Sequence, residues 1–195
     1  MKNYEKKILF LGYNEEVTSL IKILKEYGCH VEQRSEKLEW DNDFNEFDLI
    51  VSFGYRHIIP GRFLERHQGK VINLHISYLP YNKGAHPNFW AFYDGTPHGV
   101  TIHFIDEGLD TGDILFQKEI SFKNTNTFAQ TYSILISEIE HLFVENIEKI
   151  LNRDFKPEKQ QGKGTCHKSS DLPYFPGGWD AEIIPTISAL KKQTT

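Results

Sequence analysis

Apolar residues along this chain come in two periods, short continuous runs and runs recurring every three to four positions, and the alternation of the two predicts a parallel α/β layer over the first seventy residues. Ile8 to Leu11 forms the first apolar run and predicts a strand. Asn14 is placed to cap a helix in which Val17, Leu20, Ile21 and Leu24 recur at helical spacing, and Gly28 stands where a left-handed C-terminal residue is wanted. Cys29 to Glu32 predicts a second strand. A polar, acidic stretch from Arg34 to Asp48 follows, and then the buried strand Leu49-Ile50-Val51. Pro60 opens a short helix to about His67, and Lys70 to His75 reads as the next strand. The segment from Ile76 to Pro97 is rich in Pro, Gly, Asn and aromatics, the composition of loops, with a short helix over Pro87 to Tyr93. Strands are predicted over Gly99–Ile105 and Ile114–Phe122. After Thr127 a single long helix presents Leu135, Ile139, Leu142, Phe143, Val144, Ile147, Ile150 and Leu151 on one face. The remainder is punctuated by Gly and Pro until a closing helix at 183–190.

Composition narrows this picture. The chain has 195 residues and 14 Phe, 9 Tyr and 3 Trp, enough for one well-packed domain. Residues 1–152 are expected to form the main domain, with 153–195 a short C-terminal extension packed on it. The 27 acidic and 22 basic side chains leave a formal charge of −5, which disfavours a nucleic-acid platform. Cys29 and Cys166 read as reduced thiols. The first apolar run is too short for a signal sequence or a membrane span, so a cytoplasmic protein with no membrane partner is expected.

Gly12 ends the first strand, where a dinucleotide fold would put its phosphate loop. The local sequence GYNEEV has one glycine and two glutamates, so an ordinary strand-to-helix turn is expected there. His75, His86, His98 and His103 cluster in sequence, but no pair has the i, i+4 spacing of a zinc helix, and no metal is expected. Asn73 and His75 share parity near the end of one strand, so both project from the same face. In an open α/β sheet the binding crevice forms at that end. The cluster Asp106, Glu107, Asp110 and Asp113 lacks an EF-hand pattern and is suited to building a turn, to orienting a histidine or to holding calcium.

Read together, NLHISYLPYNKGAHPNFWA and GVTIHFIDEGLDTGDIL resemble the formyltransferase family that uses 10-formyltetrahydrofolate, and FGYRHIIP is similar to that family's folate-binding segment. The resemblance implies a single Rossmann-like α/β domain, a twisted, mostly parallel sheet with helices on both faces. It implies Asn73, His75 and Asp110 as the catalytic positions. Arg56, His57, Ile58 and Ile59, together with Ile105, Asp106 and Asp110, would hold the folate, with Ile58 and Ile59 packing on the pterin. The implied chemistry is acyl transfer from 10-formyltetrahydrofolate to an amine, with no metal and no covalent enzyme intermediate.

Three branches of that family differ in the amine they formylate. Methionyl-tRNA formyltransferases have a further domain and a polyanionic substrate, and glycinamide ribonucleotide transformylases carry a glycine-rich phosphate turn that GYNEEV does not match. The segments YNKGAHPNFWAF and GKGTCHKSSD resemble the small sugar N-formyltransferases, and the short tail makes the chain similar to those of pseudaminic-acid-type pathways and to the related domains that formylate carrier-bound aminoacyl groups. That branch implies a UDP- or dTDP-linked amino sugar, with Lys83 for a diphosphate and Tyr81 or Trp90 for a sugar or base face. Members of that branch often form a homodimer, which leaves the oligomeric state open, with Tyr174, Phe175 and Trp179 either covering an interface or closing the core. A catalytically silent folate-binding module is the remaining reading, and the intact Asn73, His75 and Asp110 set argues against it.

Overall fold

The computed structural model describes residues 3–39, 44–122 and 127–193. Part of the polar stretch Arg34–Asp48, at 40–43, lies outside the described residues. Six strands form the main sheet: β1 (Lys7–Gly12), β2 (His30–Arg34), β3 (Leu49–Phe53), β4 (Val71–His75), β6 (Gly99–Phe104) and β7 (Ile114–Glu119), in the order β2-β1-β3-β4-β6-β7. The first four run parallel, and β6 and β7 are antiparallel to their neighbours. Every residue of β3 is buried, as expected for a central strand covered on both faces. The helices are α1 (Leu20–Glu26), α2 (Gly61–Arg66), α3 (Pro87–Asp94), α4 (Phe128–Glu145), α5 (Ile147–Asn152) and α6 (Ile183–Gln193). One apolar layer packs Ile8, Phe10, Val51 and Ile102 against Leu20, Leu24, Leu135, Ile139 and Phe143; the other packs Leu9, Leu11 and Ile50 against Phe63 and Leu64. No helix among the described residues is long and apolar enough to cross a membrane.

Two helices differ from their expected extents. Asn14 does not cap α1. Its side-chain oxygen accepts the Glu16 N–H and its carbonyl accepts from Val17 and Thr18, which closes a separate turn, leaves Val17 exposed and delays the helix to Leu20. The single long helix expected after Thr127 is two. Asn146 donates through Nδ2 to the Leu142 carbonyl at 2.9 Å, competing for the acceptor its own backbone would use, and α4 gives way to α5 at that residue. Thr127 itself caps α4 in a capping box with Gln130.

A two-stranded parallel sheet, β5 (Lys83–Gly84) with β8 (Cys166–His167), has no counterpart in the sequence patterning, because each strand is only two residues long. It ties the chain near its C-terminus to the loop after β4. Phe175 is buried and stacks on Phe89 of α3, and Ile183 and Leu190 of α6 join the same aromatic cluster. Phe175 therefore closes core, whereas Tyr174 is 89% exposed. Cys29 and Cys166 are both free thiols.

Candidate active site

The chain leaves β1 on one side of the sheet for β2 and returns through β3 on the other, so the carboxyl ends of β1 and β3 open a crevice between them. Gly12 permits that junction. It sits at φ +107°, and a Cβ there would meet the Phe53 carbonyl oxygen at 2.1 Å. β4 lies next to β3 and delivers Asn73 and His75 from one face to the same crevice.

Asp110 follows β6 in a turn, at φ +52°. Its backbone carbonyl accepts from Gln160 Nε2 at 2.8 Å, and its Oδ2 accepts the Gly84 N–H at 2.8 Å. Thus the turn is pinned to the segment after α5 and to β5. Asn73 Nδ2 donates to Asp110 Oδ1 at 3.4 Å, and His75 Nε2 stands 3.7 Å from Asp110 Oδ2 and 3.4 Å from the Asn82 carbonyl. Both neighbours of that imidazole nitrogen are acceptors, so Nε2 carries a proton. Burial pushes the Asp110 carboxyl up, but His75, His103, the Gly84 N–H and Lys83 outweigh it, and the group is held below its ordinary value. It is a carboxylate at neutral pH.

His103, opposite Asn73 across the antiparallel β4–β6 pairing, completes the group. Its Nδ1 lies 2.7 Å from the Phe104 carbonyl and therefore donates. Burial, opposed by Asp110, pushes its pKa down to about 4, so the ring is neutral and Nε2 holds a lone pair. That lone pair faces Asn73 Nδ2 at 3.3 Å. An acceptor at this position turns the amide so that its N–H groups, and not its oxygen, lie on the Asp110 side.

These groups open on a cavity of about 830 Å³ lined also by Tyr13, Tyr55, Arg56, His86, Leu109, Tyr132 and His167 to Ser169. Of the folate set, Arg56 and Asp110 line it. Ile59 and Ile105 pack against one apolar cluster, which brings the loop after β3 against the loop after β6. Ile58 is 87% exposed and so packs on nothing in this chain. His57 is exposed beside the Tyr55 ring, and the Asp106 carboxylate accepts from Gly108 N and Thr111 Oγ1 and so builds the turn.

The expected sugar-binding residues fall elsewhere. Trp90 is buried with its ring stacked on His167 at 3.8 Å, which makes it a packing residue and not an open face. Tyr81 and Lys83 do not line the cavity, although the charge of Lys83 acts on Asp110. Aromatic groups that do face the cleft include Tyr13, Tyr55, Tyr132, His86 and Trp179. Among the described residues no group of three or more His, Cys, Asp or Glu is arranged to hold a metal ion.

The family model described as formyl transferase matches residues 9–147. The chain is similar to the formyltransferase PseJ from Anoxybacillus kamchatkensis, solved in complex with UDP-4,6-dideoxy-4-formamido-L-AltNAc and tetrahydrofolate, at 41% identity with a TM-score of 0.86, over 91% of this chain and 95% of that one. A 4-N formyltransferase from Francisella tularensis, at 21% identity and a TM-score of 0.78 over 95% of this chain and 88% of that one, shares the fold. The methionyl-tRNA formyltransferase of Thermodesulfovibrio yellowstonii is 36% identical over 165 residues, 79% of this chain and 52% of that protein. That of Clostridium novyi is 36% identical over 123 residues, 63% of this chain and 40% of that protein. The chain spans about half the length, or less, of these curated relatives.

Proposed function

The chain belongs to the formyl transferase family, and from that premise we propose that it transfers the formyl group of 10-formyltetrahydrofolate to the primary amine of a nucleotide-linked amino-deoxy sugar. The observation that carries the reaction is the convergence of Asn73 Nδ2, His75 Nε2 and the Asp110 carboxylate on one cavity.

The amine lone pair attacks the formyl carbon, the carbonyl electrons move to oxygen, and a tetrahedral intermediate forms with an oxyanion and an ammonium. The Asn73 N–H that His103 does not hold gives up its long 3.4 Å contact with Asp110 and, with the His75 Nε2–H, donates to the oxyanion. The Asp110 carboxylate, held ionised by its neighbours, offsets the positive charge on the ammonium and orients His75. Collapse restores the carbonyl and breaks the bond to N10 of the folate. The proton lost by the amine matches the one N10 gains, so the reaction balances without a net acid or base, and the Asp110 carboxylate is the group beside the cavity that can relay it. Arg56 and the loop through Ile59, with Ile105 to Asp110, are the proposed folate contacts. The exposed Ile58 supplies the apolar face that a pterin would cover.

A sugar acceptor is favoured by the 41% identity to PseJ across nearly all of both chains, together with the nucleotide-sugar product and tetrahydrofolate in that complex. A second reading, formylation of methionyl-tRNA, draws on the 36% identity to the curated relatives. Mass spectrometry of reactions with 10-formyltetrahydrofolate separates them. UDP- and dTDP-linked amino sugars are each offered beside methionyl-tRNA and glycinamide ribonucleotide. The expected result is a nucleotide sugar heavier by one CO unit. A formylated tRNA or ribonucleotide with every sugar unchanged contradicts the sugar assignment.

A further inference from the structure

The segment between α5 and α6 lies past residue 147, where the match to the family ends, yet it reaches inward to the catalytic positions. Leaving α5, it exchanges two backbone hydrogen bonds between Glu158 and Ile114 at the start of β7, with N···O distances of 2.8 and 2.9 Å. It then passes the turn that carries Asp110 and ends as β8 beside β5.

Two side chains on this segment carry its contacts inward. Gln160 donates through Nε2 to the carbonyls of Asp110, at 2.8 Å, and Gly112, at 2.9 Å, so one amide holds both sides of the turn. Its Oε1 is buried with no hydrogen-bond partner among the described residues, so the side chain serves the turn at the expense of its own acceptor. Asp110 stands there in the left-handed region at φ +52°, which a non-glycine residue keeps only where its surroundings enforce it.

Thr165 does the equivalent for His75. Its Oγ1 accepts the Asn82 N–H at 2.8 Å and donates to Asn82 Oδ1 at 3.1 Å, clasping that residue from both ends. Asn82 is fully buried, is left-handed at φ +56°, and donates through Nδ2 to Thr96 Oγ1 at 2.8 Å. Its backbone N–H and both side-chain polar atoms are thereby engaged, and the carbonyl that remains faces His75 Nε2 at 3.4 Å. That oxygen is nearer than Asp110 Oδ2 at 3.7 Å, and an acceptor so placed fixes which ring nitrogen bears the proton. The contact is also long enough to release the N–H to an oxyanion.

We propose that Gln160 and Thr165 are positioning residues of the reaction. Gln160 sets the Asp110 turn, and Thr165, through the Asn82 carbonyl, sets the tautomer and tilt of the His75 ring. Neither lines the catalytic cavity; each acts through a residue that does. The proposal rests on Asn73, His75 and Asp110 as the reacting groups and does not depend on which amine accepts the formyl group.

Thr165→Val removes the hydroxyl and keeps the shape, Thr165→Ser keeps the hydroxyl, and Gln160→Met removes both donors at similar length. Thr127→Ala is the control for lost stability, since its cap does not line the cavity. Steady-state kinetics and thermal melting are measured on each, and long-range proton–nitrogen NMR spectra report the His75 ring in the ligand-free protein. Thr165→Val and Gln160→Met are expected to lower kcat ~10- to 10²-fold, with KM for both substrates within about twofold. Thr165→Ser should recover most of the rate, and Thr127→Ala should melt earlier with its rate intact. The His75 proton should sit on Nε2 in the unaltered chain and in Thr165→Ser, and divide between the two nitrogens in Thr165→Val. An unchanged kcat in Thr165→Val or Gln160→Met overturns the role of that residue. A His75 ring that is the same in Thr165→Val as in the unaltered chain, or a rate that merely follows the melting temperature through Thr127→Ala as well, overturns the proposal. If the unaltered chain formylates none of the amines offered, the activity reading fails, and the ring spectra alone decide whether Thr165 sets His75.

Discussion

At the scale of single residues, the orientation of the Asn73 amide is the most consequential detail. Asn73 and His75 were legible in the sequence through their shared strand parity, and Asp110 through the LDTG turn of the resemblance. His103 was visible only as one of four neighbouring histidines. Its role depends on β6 running antiparallel beside β4 so that it falls opposite Asn73, a register that apolar patterning does not encode. Replacing His103 with Phe removes the acceptor and frees the amide to turn. Turnover should fall by ~10²-fold with little change in KM, the signature of the proposed Asn73 donor acting on the transition state. His103→Gln restores an acceptor and should recover much of the loss. Equal turnover in the Phe variant and the unaltered enzyme would remove His103 from the account. The misplacement of Trp90 has a similar origin. An aromatic in a loop-rich segment reads as an open face, yet α3 turns it inward to stack on His167, which arrives from residues far along the chain.

At the scale of elements, the long apolar runs of β1, β3 and β4 announced themselves, because central strands buried on both faces need little else. The β5–β8 pair did not, since two residues carry no period. Yet it supplies the Gly84 N–H to Asp110 and, through Thr165, accepts the Asn82 N–H at 2.8 Å. Gly84 lies at φ +85°, and a Cβ there would meet the His167 carbonyl oxygen at 2.4 Å. Gly84→Ala should therefore prise the two strands apart and loosen Asp110. Thermal melting is expected to show a loss of about 1–3 kcal/mol, accompanied by lower turnover. A variant that melts and turns over normally would mean the pair does not steady the carboxylate. Thr127→Ala is the contrasting case. Losing the α4 cap should cost about 1 kcal/mol in stability and leave kinetics intact, since the cap does not line the catalytic cavity.

At the scale of the whole molecule, two imidazoles held neutral by burial make stability depend on pH. His98 and His103 each have a pKa lowered from 6.5 to about 4. The unfolded chain takes up protons on both near pH 6.5, whereas the folded chain resists until about pH 4. Stability is thus fully present above pH 6.5 and is lost as pH falls through that window. Urea unfolding midpoints measured from pH 7 to pH 4 should decline accordingly, and His98→Phe should flatten part of the slope. A midpoint constant across that range would show that the burial does not act on these rings. α3 and α4, joined through the aromatic cluster that includes Phe175 and α6, line the outer part of the cleft. The sequence pattern predicts these helices but not how they meet.

Asn73, His75 and Asp110 are proposed to move a formyl group from folate to the amine of a nucleotide sugar. The most direct measurement is the rate of tetrahydrofolate release from 10-formyltetrahydrofolate in the presence of a UDP-4-amino-4,6-dideoxy sugar, for the unaltered enzyme and for Asn73→Ala. Release is expected to require the amino sugar, to yield one N-formyl sugar per tetrahydrofolate and to fall ~10²–10³-fold in the variant. Release that ignores the amino sugar, or a variant as fast as the unaltered enzyme, would contradict it.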